Sequence, residues 1–467
     1  MNRLAYLTEV MRDAELARRT GVVRETRGLA IEARGPHARV GELCALLPPG
    51  YTDAGTANEM LAALLAGPGG AAFPARADGS APILAEVVGV QPDHVTLMPY
   101  GSVNGLSTGS TVVALGNQSM CAVGDGLLGR IIDGFGRPLD GKPAPTPSAW
   151  RPLEGRPTNP MQRPAITDVL ETGVRSIDGM LTIGRGQRVG IFAGSGVGKS
   201  TLLGMIAQHV KADVNVIALI GERGREVREF IEKQLGDAGL QRSVVVVATA
   251  DQPALARARA AHAALAIAEY FRDAGRQVVL TMDSITRLAM ARREIGLAAG
   301  EPPTARGYTP SVFAELPQLC ERCGTAPSGG AITALLTVLV EGDDFNEPVS
   351  DALRAILDGH IVLSRQLAHQ GQYPAIDMLK SASRLLPVLT TSAERALITR
   401  AITMLSMLER NRQIVELGAY EKGANPQLDD AIAREREMRA WLNQTNGGVA
   451  RTDALQQLAR VLGENTV

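Results

Sequence analysis

The residues best suited to chemistry in this chain sit together at positions 193–201, which read AGSGVGKST. Glycines at 194, 196 and 198 can take backbone angles that other residues avoid, so the loop's N–H groups can curl around phosphate oxygens. RVGIF before the loop is an apolar strand pattern, and TLLGMIAQHV after it has helical periodicity. A helix that begins at such a loop turns its free N–H groups and its dipole toward the same anion. Gly194, Ser195, Gly196, Val197, Gly198, Lys199, Ser200 and Thr201 are therefore a candidate cradle for the phosphates of a nucleoside triphosphate. Lys199 would set a mobile positive charge on the β- and γ-phosphates, and the Ser200 hydroxyl is a candidate Mg²⁺ ligand. The pattern GxxxxGK[ST] is met except at its first position, where alanine stands at 193.

A phosphate loop needs a second carboxylate to hold Mg²⁺, usually at the end of a buried strand. The run VVLTMD supplies Asp283 after five residues that are nearly all apolar. A charge there is costly unless a cation accompanies it, which favours a metal role; Asp283-Ser284 also suits the N-cap of a helix, and the two roles are compatible. Hydrolysis further requires a group that orients and deprotonates water. VNVIALI leads into GERGREVREF and puts Glu222 at the carboxyl edge of a sheet, where such folds bind ligands. Glu226 and Glu229 follow at i+4 and i+7 and could equally face solvent beside Arg225 and Arg228.

Positioning these groups takes a parallel sheet. From residue 168 onward apolar runs alternate with helical patterns, giving buried strands near 188–192, 214–220, 244–247, 278–282 and 332–340. Residues 21–115 read instead as short strands (21–23, 83–90, 94–98, 110–115) broken by turns, which suggests a small β-barrel. Residues 116–165 are rich in glycine and proline and read as a connecting segment that wraps a domain. After residue 384 the chain reads as helices. Leu4, Leu7, Met11 and Leu16 fall near helical spacing, so residues 1–20 read as an amphipathic helix that either packs on its own domain or docks a partner. Residues 67–80 have the composition of a surface loop.

The 467 residues allow two or three domains. Forty-eight Lys and Arg against 49 Asp and Glu give a net charge of −1, which argues against a nucleic-acid binder that relies on a broad basic surface. Cys320 and Cys323 form a lone CxxC with no matching second pair, while Cys44 and Cys121 are isolated, so reduced thiols are expected rather than zinc ligands. The N-terminus mixes charges every few residues, unlike a signal peptide, and no segment approaches the ~18 apolar residues of a membrane span. A cytoplasmic protein is expected.

Four stretches then make a specific match. GRGQRVGIFAGSGVGKSTLLG, LIGERGREVREFIE, MDSITRLAMARREIGLAAGEPPTARGYTPSVFAELP and LVEGDDFNEPVSDALRAILDGHIVLSR all resemble the type III secretion export ATPases, bacterial relatives of the ATP synthase catalytic (beta) subunit. The resemblance runs from about residue 21 to 428, and alanine at 193 is usual in this branch. It implies an α/β fold with an N-terminal β-barrel (21–115), a central RecA-like P-loop domain with a parallel sheet (116–384) and a C-terminal helical domain (385–467). It also implies ATP hydrolysis with Mg²⁺ by a homohexamer with nucleotide at each subunit interface. Residue by residue, Glu222 matches the water-activating glutamate and Arg223 its arginine neighbour. Tyr373, in GQYPAID, matches the aromatic that stacks on adenine; by itself it reads as a turn aromatic before Pro374. Arg384, in LKSASR, matches an arginine finger that reaches into the next subunit; by itself it reads as a solvated surface residue.

The same resemblance implies partners. The loop GEPPTARGY would face the central opening of the ring and touch a stalk protein. A stator or regulator would hold the N-terminal helix, chaperone–substrate complexes would be the cargo, and an export gate would keep the ring peripheral at the inner membrane. VGELC (40–44), SAWRPL (148–153) and VLVEGDDFNEPVSD (338–351) look closer to the injectisome branch than to the flagellar one, and GAYEKG (418–423) is less decisive. A non-catalytic rotary-ATPase subunit would lack the glutamate at 222, and an RNA translocase would want a basic, aromatic-rich barrel where this chain has 3% aromatics.

Overall fold

The computed structural model describes residues 19–49, 81–116, 120–340, 344–345 and 347–464. The expected helix over 1–20 and the loop over 67–80 fall almost wholly outside them.

Six antiparallel strands close a barrel in the order Thr20–Arg27, Ala30–Arg34, Val95–Pro99, Ile83–Val90, Leu43–Leu47, Thr111–Ala114 and back to the first. Alternate residues fill it: Ile31 and Ala33, Cys44 and Leu46, Ala85 and Val87, Val112 and Ala114 share one core. Leu43–Leu47 is buried on both faces, because Leu43, Ala45 and Leu47 pack outside the barrel with Val113 and Leu115. LCALL therefore shows no alternation, and sequence periodicity passed over this strand and over Ala30–Arg34.

The central sheet has nine strands. Its main path runs Ala382–Ser383, Gly359–Leu363, Arg188–Ala193, Ala331–Leu339, Gln277–Asp283, Val214–Glu222, Ser243–Thr249 and Arg130–Ile132, with every pair parallel except the first. The five expected strands are all present. The glycine- and proline-rich segment contributes more than a wrap, since its three residues Arg130–Ile132 extend the sheet beside Ser243–Thr249. Its residues Met120–Val123 and Ala149–Pro152 also pair with each other.

Both faces of the sheet are covered, which is why its strands read as unbroken apolar runs. Val214, Val216, Ala218 and Ile220 pack on one side with the long helix Ala254–Asp273, whereas Ile217 and Leu219 pack on the other. The second side receives the helix Lys199–His209 and the C-terminal helices Ser392–Glu416, Pro426–Leu442 and Arg451–Val461 through Leu397, Met404, Met438, Trp441 and Leu458. Thr391 starts the first of these helices with a capping box: its hydroxyl accepts from the Glu394 N–H, and the Glu394 carboxylate accepts from the Thr391 N–H.

The four cysteines are free and buried, and burial pushes the thiols of Cys44, Cys121 and Cys323 up to about 12. No group of three or more possible metal ligands forms among the described residues. None of the described helices is long and apolar enough to cross a membrane.

Candidate nucleotide-binding site

Four strands that lie side by side bring the site together at their carboxyl ends. Ala193 ends one strand and pairs with Leu339 of the next; Asp283 and Glu222 end the following two, with Leu219 opposite Asp283. Residues 194–198 leave Ala193 and turn into the helix Lys199–His209. Gly196 and Gly198 have φ of 76° and 85°, in the left-handed region where a side chain would strain the loop. Gly194 does not use that freedom, contrary to the sequence expectation. Val197 is buried and anchors the turn, while Ser195, Ser200 and Thr201 are exposed, with hydroxyls free to meet a ligand.

Lys199 Nζ pairs with Asp283 Oδ1 and lies 3.4 Å from Glu222 Oε1. Asp283 is buried, and the fully buried Thr337 donates its hydroxyl to Asp283 Oδ1 at 2.7 Å. The helix after Asp283 is capped by Ser284, whose hydroxyl accepts from the Arg287 N–H at 3.3 Å. Asp283 therefore does no capping, and its charged partner here is the Lys199 ammonium. Two carboxyl groups converge on one ammonium, which gathers oxygen donors that suit a further cation. Asp283 with the Ser200 hydroxyl fits the oxygen-donor chemistry of Mg²⁺.

Glu222 is pushed up to about 7. Burial is the largest cause; Lys199 opposes it, while the Asp283 charge and a hydrogen bond with Glu226 add to it. Burial alone would lower Lys199, but Asp283 and then Glu222 hold it raised and charged. Of the neighbouring acids, Glu229 bonds Lys233 at 3.0 Å, and Glu226 is exposed. Arg223 is also exposed, 3.7 Å from Glu226.

Tyr373 lies over the loop: a Cβ at Gly198 would stand 3.2 Å from the tyrosine ring. Tyr373 as a residue is 39% exposed.

Arg384 is elsewhere. Gly359 pairs with both Val189 and Ser383, whereas Leu363 pairs with Ala193, so Arg384 sits at the amino edge of the sheet and the phosphate loop at the carboxyl edge. The five-residue strand Gly359–Leu363 separates the two edges by about 15 Å at ~3.3 Å per residue. The Arg384 guanidinium donates to the Arg354 carbonyl at 3.3 Å and shares an open cleft with Arg354, Asp351 and His360. Among the described residues neither arginine makes an ion pair. The fold thus joins Lys199, Glu222, Asp283 and Tyr373 and keeps Arg384 out of the same pocket.

Sequence reasoning missed Thr337. Its only signal was a hydroxyl inside AITALLTVL two positions from the strand's end.

The sequence matches three family descriptions: the ATP synthase alpha/beta beta-barrel domain over residues 75–116, the nucleotide-binding domain of the same family over 173–383, and the T3SS EscN ATPase C-terminal domain over 390–460. It is 50% identical to the flagellum-specific ATP synthase of Bacillus subtilis over 427 residues, 91% of either chain. It is 45% identical to the type 3 secretion system ATPase of Xanthomonas euvesicatoria over 443 residues, 94% of either chain. The assembled ATPase EscN of enteropathogenic E. coli superposes with a TM-score of 0.84 at 41% identity, over 95% of this chain and 100% of that one. EscN in complex with its central stalk EscO superposes at 0.82 and 40% over the same shares. With the loop, the two acids and the barrel–sheet–helix order already in place, the chain belongs to the flagellum-specific and type III secretion export ATPases, within the ATP synthase alpha/beta family.

Proposed function

We propose that this ATPase works as one subunit of a homohexameric ring that hydrolyses Mg²⁺-ATP to release and unfold chaperone-bound substrates for type III export. The observation that carries the ring is the separation of Arg384 from the phosphate loop by the length of a strand. A finger at that edge serves a neighbour's nucleotide and not its own. The assembled state of EscN, similar along 95% of this chain, supports the same reading.

In this reading residues 194–201 hold the phosphates, and Lys199 moves from its two carboxylates onto the β- and γ-oxygens. Ser200 and Asp283 hold Mg²⁺, which when bound neutralises charge on those oxygens. Glu222 orients the attacking water and takes its proton; a carboxyl raised toward neutrality by burial is suited to that task. Arg223 stands beside it at the mouth of the site, Tyr373 stacks on adenine, and Arg384 of the next subunit stabilises charge on the γ-phosphate.

The units we assign are a partner-docking helix over 1–20, the barrel over 21–115, the ATPase domain over 116–384 with its connecting segment 116–165, and the helical domain over 385–467. The loop 300–308 is tied back by Arg306 to Asp344 at 2.7 Å and by the Tyr308 hydroxyl to Glu347 at 3.1 Å, which presents its exposed prolines as a firm surface for a stalk. EscN's complex with EscO is the parallel. A stator protein on the N-terminal helix and the export gate keep the ring peripheral at the cytoplasmic side of the inner membrane, with no nucleic acid involved. Between the two branches, the segments at 40–44, 148–153 and 338–351 favour the injectisome, and flagellar export is the alternative.

Lys199→Ala tests the site. ATP hydrolysis by the purified variant is expected to fall by about 10³ or more, with weaker nucleotide binding. Turnover at the wild-type rate would contradict the assignment.

A further inference from the structure

Tyr373 has no side-chain hydrogen bond among the described residues, so its backbone must fix the ring over Gly198. Both of its backbone groups are held by the helical domain. The Tyr373 N–H donates to Asn443 Oδ1 at 3.3 Å, and its carbonyl accepts from the Gln444 N–H at 2.7 Å. Asn443 Nδ2 also donates to the Gly371 carbonyl at 3.4 Å. These two residues follow the last turn of the helix Pro426–Leu442.

The same pair is fastened on its other side to the segment that leads into the phosphate loop. Gln444 is buried; its Nε2 donates to the Gly173 carbonyl at 2.9 Å, and its Oε1 accepts from the Arg175 N–H at 2.8 Å. The Arg175 guanidinium donates to the Asn443 carbonyl at 2.7 Å. Gly173 in turn packs on His209, at the end of the helix that begins with Lys199.

We propose that Asn443 and Gln444 are positioning residues of the base site, latching the Tyr373 backbone to the end of the helix Pro426–Leu442 so that its ring is held over Gly198 for contact with the base. The proposal rests on the reading of Tyr373 as the residue that stacks on adenine.

Asn443 is exposed, so Asn443→Ala removes its amide without opening the core. KM and kcat for ATP are measured in Asn443→Ala, Asn443→Asp, the double variant Asn443→Ala with Gln444→Ala, and Tyr373→Ala. Each is compared with inhibition by inorganic tripolyphosphate, which has the phosphates but no base. We expect Asn443→Ala to raise KM for ATP roughly threefold to tenfold, the worth of an ordinary hydrogen bond, with kcat changed by less than about twofold. Tripolyphosphate inhibition should be unchanged, and Asn443→Asp, which keeps the acceptor for the Tyr373 N–H, should restore KM. If Tyr373→Ala raises KM while Asn443→Ala and the double variant do not, the latch is overturned and the stacking role stands. A parallel weakening of ATP and tripolyphosphate would reduce the pair to general scaffolding and overturn it as well. An unchanged KM in Tyr373→Ala would remove the stacking role, and the proposal with it.

Discussion

The two edges of one parallel sheet carry opposite kinds of chemistry. At the carboxyl edge the charges answer one another inside the chain: Lys199 lies between Asp283 and Glu222, and Thr337 steadies Asp283 from below. At the amino edge Arg354 and Arg384 share a cleft with no ion-pair partner among the described residues. The first edge is a receiver that works on a ligand of its own. The second, in the function proposed above, is a donor: Asp351 lines the same cleft, but neither guanidinium is ion-paired to it. On that proposal the chain holds two halves of different sites, and a ring lets every half meet its complement.

Removing the donor breaks that comparison most severely. Arg384→Ala is expected to lower kcat by about 10³–10⁵ while nucleotide affinity, measured by equilibrium binding, stays near wild type, because the receiver is intact. A matching loss of affinity would mean that Arg384 serves its own loop.

Within the receiver, Glu222→Gln should lower kcat by about 10²–10⁴ and preserve ATP binding. The raised carboxyl adds a pH signature. Only the deprotonated form accepts a proton, and its population falls as pH drops through about 7. kcat/KM should therefore decline about tenfold per pH unit on the acid side of neutrality and level off above it. A profile flat down to about pH 5.5 would return Glu222 to the ordinary carboxylate range and away from the role of base.

Thr337→Val sharpens the comparison with the smallest effect. It removes one hydroxyl and almost no volume, so the fold should hold while Asp283 loses its orienting donor. About tenfold more Mg²⁺ should be needed for half-maximal turnover, as is usual when a group behind a metal ligand is lost. An unchanged Mg²⁺ requirement would leave Thr337 with a packing role alone.

Much of the receiver was legible in the sequence because its parts are local. The loop, the helix start and the acids at the ends of apolar strands all lie within short windows, where glycine conformation and apolar runs say what they do. Tyr373 and Arg384 carried no such local signal; resemblance pointed to them, and only the strand register gives Arg384 an edge of the sheet. Thr337 reaches Asp283 across neighbouring strands, and Asn443 reaches Tyr373 across seventy residues, separations that no periodicity reports. The barrel was half legible for a related reason. Leu43–Leu47 is buried on both faces, so the alternation that marks a strand is absent. Arg130–Ile132 has only three residues and borrows its strand character from the partner beside it.

The most direct test of a shared site mixes two inactive chains. Subunits carrying Lys199→Ala keep the donor edge, and subunits carrying Arg384→Ala keep the receiver edge. If each nucleotide is served by two chains, mixing them under assembling conditions should yield rings with intact composite sites, and ATPase activity well above that of either variant alone. Activity in the mixture no higher than the sum of the two separate preparations would contradict it.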